Sequence, residues 1–139
     1  MMALTKVILA YDGSEYSQKA LEWLMNFAEQ TTILTVIVKV LELPYDLESG
    51  MEAGVKSIRK GLKEQLEKVV FAFTEKGISA KAILLEGEAA SQLIKYAKKE
   101  RADLIICGTR GLGGFESLLL GSVAHKLVTY SPVPVLVIK

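Results

Sequence analysis

Thiols and imidazoles are scarce in this chain, and each scarcity removes a class of protein. One cysteine, Cys107, among 139 residues excludes an internal disulfide framework and any cysteine-rich zinc module. One histidine, His125, leaves a transition-metal site short of protein ligands. An excess of charge of one sign is missing too. The 17 Lys and Arg stand against 16 Asp and Glu, a formal net charge of +1, so no global field draws nucleic acid or an anionic membrane. No apolar run approaches the roughly 18 residues of a membrane span, and the brief apolar stretch within Met1–Ala10 is too short for a secretory core. The expectation is a cytoplasmic protein with neither nucleic acid nor membrane as partner. At 50% hydrophobic and 24% charged residues the composition is that of a folded chain. Its length suits one domain over 1–139, able to bury roughly 70% of its unfolded surface.

The apolar runs set the class of fold. Lys6-Val-Ile-Leu-Ala-Tyr11 is apolar without alternation and is closed by Asp12-Gly13-Ser14, which predicts a strand buried on both faces and a following turn. Ala20, Leu21, Leu24, Phe27 and Ala28 then recur at helical spacing, with Asp12 or Ser14 available as N-cap. Thr32 to Val40, rich in β-branched residues, predicts a second strand. Leu41 to Gly50 has no periodicity. Val55, Ile58, Leu62, Leu66, Val69, Val70 and Phe73 form one stripe of a long helix ending near Gly77, and the alternating charges from Lys56 to Lys68 make its solvated face. Ser79 to Leu85 predicts a third strand, Ala89 to Lys99 a third helix, and Asp103 to Cys107 a fourth strand. A last helix over Ser122 to Tyr130 leads into a fifth strand, Pro132 to Ile138. There Pro134 has no ladder donor and marks a sheet edge. Strands alternating with helices define a doubly wound α/β domain with a parallel sheet flanked by helices on both faces. Its ligands belong beyond the carboxyl ends of the strands at a switch point.

Glycines concentrate just there, at Gly108, Gly111, Gly113, Gly114 and Gly121. Glycine lets a backbone approach phosphate closely, and the start of a helix adds amides and partial positive charge. Thr109 and Ser122 bring hydroxyl donors. Neither the P-loop nor the Rossmann pattern fits: no Lys-Ser/Thr pair closes the tract, and Glu116 stands where the last Rossmann glycine belongs.

The spacing of Gly108, Gly111, Gly121 and Ser122 resembles that of the ATP-binding members of the universal stress protein family. These carry glycine, two residues, glycine, nine residues, then glycine with Ser or Thr. The resemblance extends to Ala-Tyr-Asp12-Gly-Ser14, Leu-Leu-Glu86-Gly87, Ala-Asp103-Leu-Ile-Ile-Cys-Gly-Thr-Arg-Gly111 and the Pro-Val-Pro-Val-Leu-Val ending. It is weakest across Leu41 to Gly61. It implies a five-stranded sheet in the order 3-2-1-4-5, of the adenine nucleotide alpha hydrolase-like kind. It also implies ATP with its phosphates on Gly108, Thr109, Gly111, Gly121, Ser122 and Val123. Asp12, Ala10 and Tyr11 would face adenine and ribose, and Val40 would touch adenine through its backbone. Cys107 is counted among the nucleotide-facing residues. Mg²⁺ or Mn²⁺ would be held mainly by the phosphates, and the final strand, 133–138, would pair two copies into a homodimer. Ala10 departs from the pattern, since some ATP-binding members carry Pro there.

Each residue also has a plainer role. Asp12 has capping-box spacing to Glu15 and Ser122 can cap the last helix. Cys107 is a small core hydrophobe, Trp23 a packing residue, and His125 has no catalytic company. Arg110 either meets phosphate or points to water. The preferred reading is an ATP-binding regulatory module. A slow ATPase or self-phosphorylating enzyme is the rival, without a general base or Walker lysine in the tract. A nucleotide-free chaperone-like stress protein is the third.

Overall fold

The computed structural model describes residues 4–43, 51–110 and 120–139. Five strands, β1 (Lys6–Ala10), β2 (Leu34–Leu41), β3 (Ser79–Glu86), β4 (Leu104–Gly108) and β5 (Val135–Ile138), alternate with four helices. These are α1 (Glu15–Ala28), α2 (Glu52–Glu75), α3 (Ala89–Glu100) and α4 (Ser122–Tyr130). The sheet runs β3-β2-β1-β4-β5, parallel throughout. Strand order reverses at β1, which lies between β2 and β4, and a crevice opens beyond the carboxyl ends there.

Alternation along each strand divides the core in two. Val7, Leu9, Ile37 and Ile106 face α1 and α2, meeting Leu21, Leu24, Leu66 and Phe73. Ile8, Val36, Val38 and Ile105 face α3 and α4, meeting Leu93, Ala97 and Leu127. Val7, Ile8 and Leu9 are fully buried, and burying each such side chain contributes roughly 1.5–3 kcal/mol. A central parallel strand therefore needs apolar residues at every position, and the first strand has them.

Several boundaries differ from the sequence reading. The fifth strand begins at Val135, because Pro132 and Pro134 have no N–H for the ladder; Pro134 instead offers its carbonyl to the Ile105 N–H at 3.0 Å. The second strand starts at Leu34 and runs one residue past Val40. The stripe on α2 is broken at Ile58, which is 52% exposed in the helix's first two turns. Gly77 follows the end of α2 with φ 76, a conformation that favours glycine.

At the head of α3, the Glu88 side chain accepts the Ser91 N–H at 2.7 Å and a bond from Lys126 Nζ of α4 at 3.0 Å. Hydrogen bonds from Ser91, and then the Lys126 charge, outweigh burial and bring the Glu88 carboxyl from 4.5 down to about 2. A carboxyl lowered by folding stabilises fully above its unfolded value near 4.5 and loses that contribution as pH falls toward about 2. Thermal melting should therefore show Glu88→Gln below the wild type at neutral pH, with the gap closing in acid. The carboxylate is exposed, so screening keeps that gap small. Equal melting temperatures at neutral pH would mean that Glu88 does not cap α3.

Candidate functional site

The first wall of the crevice is the turn after β1. Asp12 Oδ1 accepts the Ser14 N–H at 2.9 Å, an Asx turn that Gly13 completes with φ 82. Ser14, not Asp12, caps α1: its hydroxyl oxygen accepts the Ser17 N–H at 3.2 Å. The capping-box pairing of Asp12 with Glu15 is therefore replaced by a cap two residues later. Lys39 Nζ of β2 donates to the Asp12 carbonyl at 3.2 Å. Burial works to raise the Asp12 pKa, but hydrogen bonds from Ser14 and Ser17 and the Lys39 charge together hold it below the usual carboxylate value. Asp12 is thus an anion at neutral pH. Beside it, burial and then the Asp12 charge push the Tyr11 hydroxyl upward.

The second wall is built from β4 and α4. Gly108 is buried against α1, where an added Cβ would stand 2.7 Å from the carbonyl carbon, oxygen and Cβ of Tyr16. Close helix packing alone demands glycine there. Thr109 is buried. Its N–H donates to Ile138 O at 3.0 Å, and its carbonyl accepts the Gly121 N–H at 2.6 Å. That second bond brings the start of α4 back beside the end of β4. Gly121, not Ser122, is the N-cap residue, with φ −69 and ψ 169, and no side chain caps the helix. Ser122 is the first helical residue and is exposed, so its hydroxyl does not take the capping role. Among the described residues no side chain accepts the first amides of α4. Cys107 is a buried thiol, pushed up to about 12 by desolvation, which makes it a core hydrophobe and no nucleophile.

Between these walls lies a cavity of about 310 Å³, within the size range of small-molecule sites. Ala10, Tyr11, Asp12, Val40, Cys107, Gly108 and Val123 line it. Thr109, Gly121 and Ser122 are not among its lining residues, while Gly111, with Gly113 and Gly114, falls outside the described residues. The cavity also takes in Lys39, Glu42, Leu93, Arg110 and Ala124, which the sequence reading either does not include or leaves open. Parallel register brings Val38 beside Ala10, and this pairing places the end of β2 in the site. Glu42 accepts the Ala89 N–H at 2.7 Å, tying the β2 end to the head of α3. Only the inward period of α3 hints at Leu93.

Other motif residues serve the fold. Asp103 lies at the opposite end of the sheet, where Oδ2 accepts the N–H groups of Thr5 and Lys6 at 2.9 and 3.0 Å. Gly87, with φ 132, sends its N–H to Leu41 O at 3.1 Å, and Glu86 pairs with Arg59 of α2. Trp23 is 39% exposed and stacks on Phe27 at 5.4 Å. His125 is exposed on α4. No helix among the described residues is long and apolar enough to cross a membrane.

The fold is a doubly wound α/β domain with a largely apolar cavity at its switch point, beside the start of α4. The chain belongs to the universal stress protein family, whose family model matches residues 4–139. It is 33% identical over 138 residues to the universal stress protein MJ0531 of Methanocaldococcus jannaschii, which covers 96% of this chain and 81% of that one. Among solved structures, a universal stress protein family protein from Arabidopsis thaliana with AMP bound matches with a TM-score of 0.74 at 22% identity, over 97% of this chain and 91% of that one. The universal stress protein from Archaeoglobus fulgidus in complex with dAMP matches with a TM-score of 0.68 at 22% identity, over the full length of both.

Proposed function

We propose that this chain is a cytoplasmic adenine-nucleotide-binding regulatory protein, one domain over 1–139, whose ligand is ATP. The observation that carries the reading is the cavity at the ends of β1, β2 and β4, bounded by the uncapped start of α4. An adenine ring suits the apolar part, where Ala10, Val40, Leu93 and Cys107 stand. Asp12, anionic and half-buried, suits a ribose hydroxyl as acceptor. Phosphate suits the amides of Ser122, Val123 and Ala124 and the local positive end of the helix. Gly111 belongs to the same phosphate group by its spacing. The relatives bound to AMP and dAMP support an adenine nucleotide in this fold.

Among the described residues no three His, Cys, Asp or Glu side chains come together to hold an ion. A Mg²⁺ or Mn²⁺ ion would therefore use phosphate oxygens as its principal ligands. Its chemistry there is neutralisation of phosphate charge. Turnover is absent or very slow on this reading, because the glycine tract carries neither a general base nor a Walker lysine. The experiment is mass spectrometry of whatever the purified, denatured protein releases, with calorimetric titration of ATP, AMP and GTP. Adenine nucleotides should bind in preference to GTP. No binding of either class by a folded protein would remove the nucleotide from the account.

The same reading makes the protein a homodimer through residues 133–138. Among the described residues β5 has a neighbour on one side only, its four residues are half-buried, and Val128 and Tyr130 on α4 are 52% and 71% exposed. Self-pairing about a two-fold axis satisfies both open edges and closes the assembly at two. Sedimentation should give a dimer for the wild type, and Val135→Asp with Val137→Pro should give monomer or insoluble protein. A clean wild-type monomer near 15.2 kDa at micromolar concentration overturns the dimer.

A further inference from the structure

One face of the sheet is covered short of its edge. Right-handed crossovers put α1 and α2 on the face of Val7 and Leu9, with α1 chiefly over β4 and α2 over β3. Among the described residues β5 has no helix of its own on that face and is reached only by the flank of α1. Leu136 and Ile138, which point to this face, stay half-buried. One flank of α1 is turned to α2, since Glu29 pairs with Lys76 at 3.1 Å. Helical spacing puts Tyr16, Trp23 and Phe27 on the opposite flank, toward β5, and Gly108 at the end of β4 does pack on Tyr16. Phe27 joins the same core as Leu136. Trp23 lies on Phe27 with the rings 10° from parallel and remains 39% exposed.

The strand edge beside this pair is short. The four residues of β5 span about 13 Å, which falls well below the roughly 800 Å² that each partner of a stable dimer buries. The layers above and below the sheet must supply the rest. On the α4 side Val128 and Tyr130 are exposed; on the α1 side the exposed ring is Trp23. A two-fold axis that joins two β5 edges antiparallel into one sheet stands perpendicular to that sheet, so each layer meets its own copy and α1 faces α1. With α1 over β4, the two helix axes stand about 14 Å apart, three strand spacings. Helices in direct contact lie roughly 8–10 Å apart. Small side chains would leave that gap open, and a large ring from each copy fills it.

We propose that the Trp23–Phe27 stack is a self-docking surface, which closes the gap between the α1 helices of two copies above their paired β5 strands. The inference rests on the homodimer reading above and adds to it a second contact layer on the face that α4 does not reach. Aromatic rings suit the task, because each buries a large area at the cost of few rotatable bonds. Phe27 is anchored in the core of its own copy and holds the Trp23 ring flat for the other.

The test is sedimentation equilibrium of wild type, Trp23→Phe, Trp23→Lys and Glu22→Lys, with circular dichroism to establish folding. Trp23→Lys should raise the dimer Kd roughly 100-fold, since a two-fold interface loses the ring twice. Trp23→Phe should fall between it and wild type. Glu22→Lys, on an exposed neighbour, should match wild type. Trp23 is the single tryptophan of the chain, so its emission should move to longer wavelength as the wild type is diluted into monomer. A folded Trp23→Lys protein with the wild-type Kd, or emission that stays fixed while the dimer dissociates, overturns the α1 surface and leaves β5 pairing standing. A wild type that stays monomeric overturns both and leaves Trp23 to a partner other than this chain.

Discussion

Gly121→Val should lose ATP affinity by roughly 100-fold, about 2.8 kcal/mol. Gly121 has φ −69 and ψ 169, an extended conformation that any residue adopts, so the substitution brings no backbone strain. The expected loss comes from position. A side chain at an N-cap lies over the amides of the next turn, which is why Ser, Thr and Asp at that place reach them. Here glycine places no side chain over those amides, and valine would cover them with two methyl groups that accept no hydrogen bond. The anion would then have to give up the helix start as a ligand. Gly121→Ser offers an internal acceptor for the same amides and should weaken ATP binding to a lesser degree. Circular dichroism establishes that the variants fold, and calorimetric titration reads the affinity. Wild-type ATP affinity in folded Gly121→Val protein would sink the phosphate assignment.

A second large effect belongs to Gly108 and concerns stability. A side chain there begins with a Cβ only 2.7 Å from the backbone of Tyr16, and backbone in a helix cannot swing aside as the tip of a long side chain can. Gly108→Val must push α1 off the sheet, in a core where Ala20, Leu24 and Ile106 are fully buried. Overpacking of this kind costs about 3 kcal/mol or more, which for a chain of this length lowers the melting temperature by roughly 10 °C. Thermal denaturation without ligand measures it, and an unchanged melting temperature would mean that α1 does not dock where Gly108 requires it. The two glycines of one motif thus separate by experiment. Gly121 should report on ligand, while Gly108 reports first on folding.

That separation was not legible in the sequence, where both glycines belong to one spacing pattern. Spacing records which positions tolerate no side chain. The reason for each depends on what stands opposite, and for Gly108 the opposing group is Tyr16, 92 residues earlier in the chain. The same limit applied to caps. Asp12 and Ser14 both have N-cap chemistry, and local sequence left the choice open. The structure assigns the cap to Ser14 because Asp12 is occupied in the turn around Gly13. At α4 the expected cap, Ser122, lies one residue inside the helix, and the N-cap residue is Gly121, which has no side chain to offer.

Strand and helix order, by contrast, followed from local pattern alone. A strand buried on both faces must be apolar at each position, and Val7, Ile8 and Leu9 satisfy that without reference to any partner. Helical period placed Leu21, Leu24, Leu66 and Phe73 inward for the same reason. The period failed at Ile58, which is exposed although Val55, one turn earlier on α2, is buried. The alternation of elements then leaves few topologies, because parallel neighbours need right-handed crossovers.

The cavity is different in kind, because its members come from the ends of separate strands and from helices that meet only when the sheet has closed. Lys39 acts on Asp12 through parallel register, Glu42 reaches across to the head of α3, and Arg110 takes its place from a ring on α1. A side chain's neighbours along the chain set its secondary structure, since those interactions span only a few residues. Its charge state, its packing partner and its place in a binding cavity depend on contacts between distant segments, and those exist only in the folded molecule.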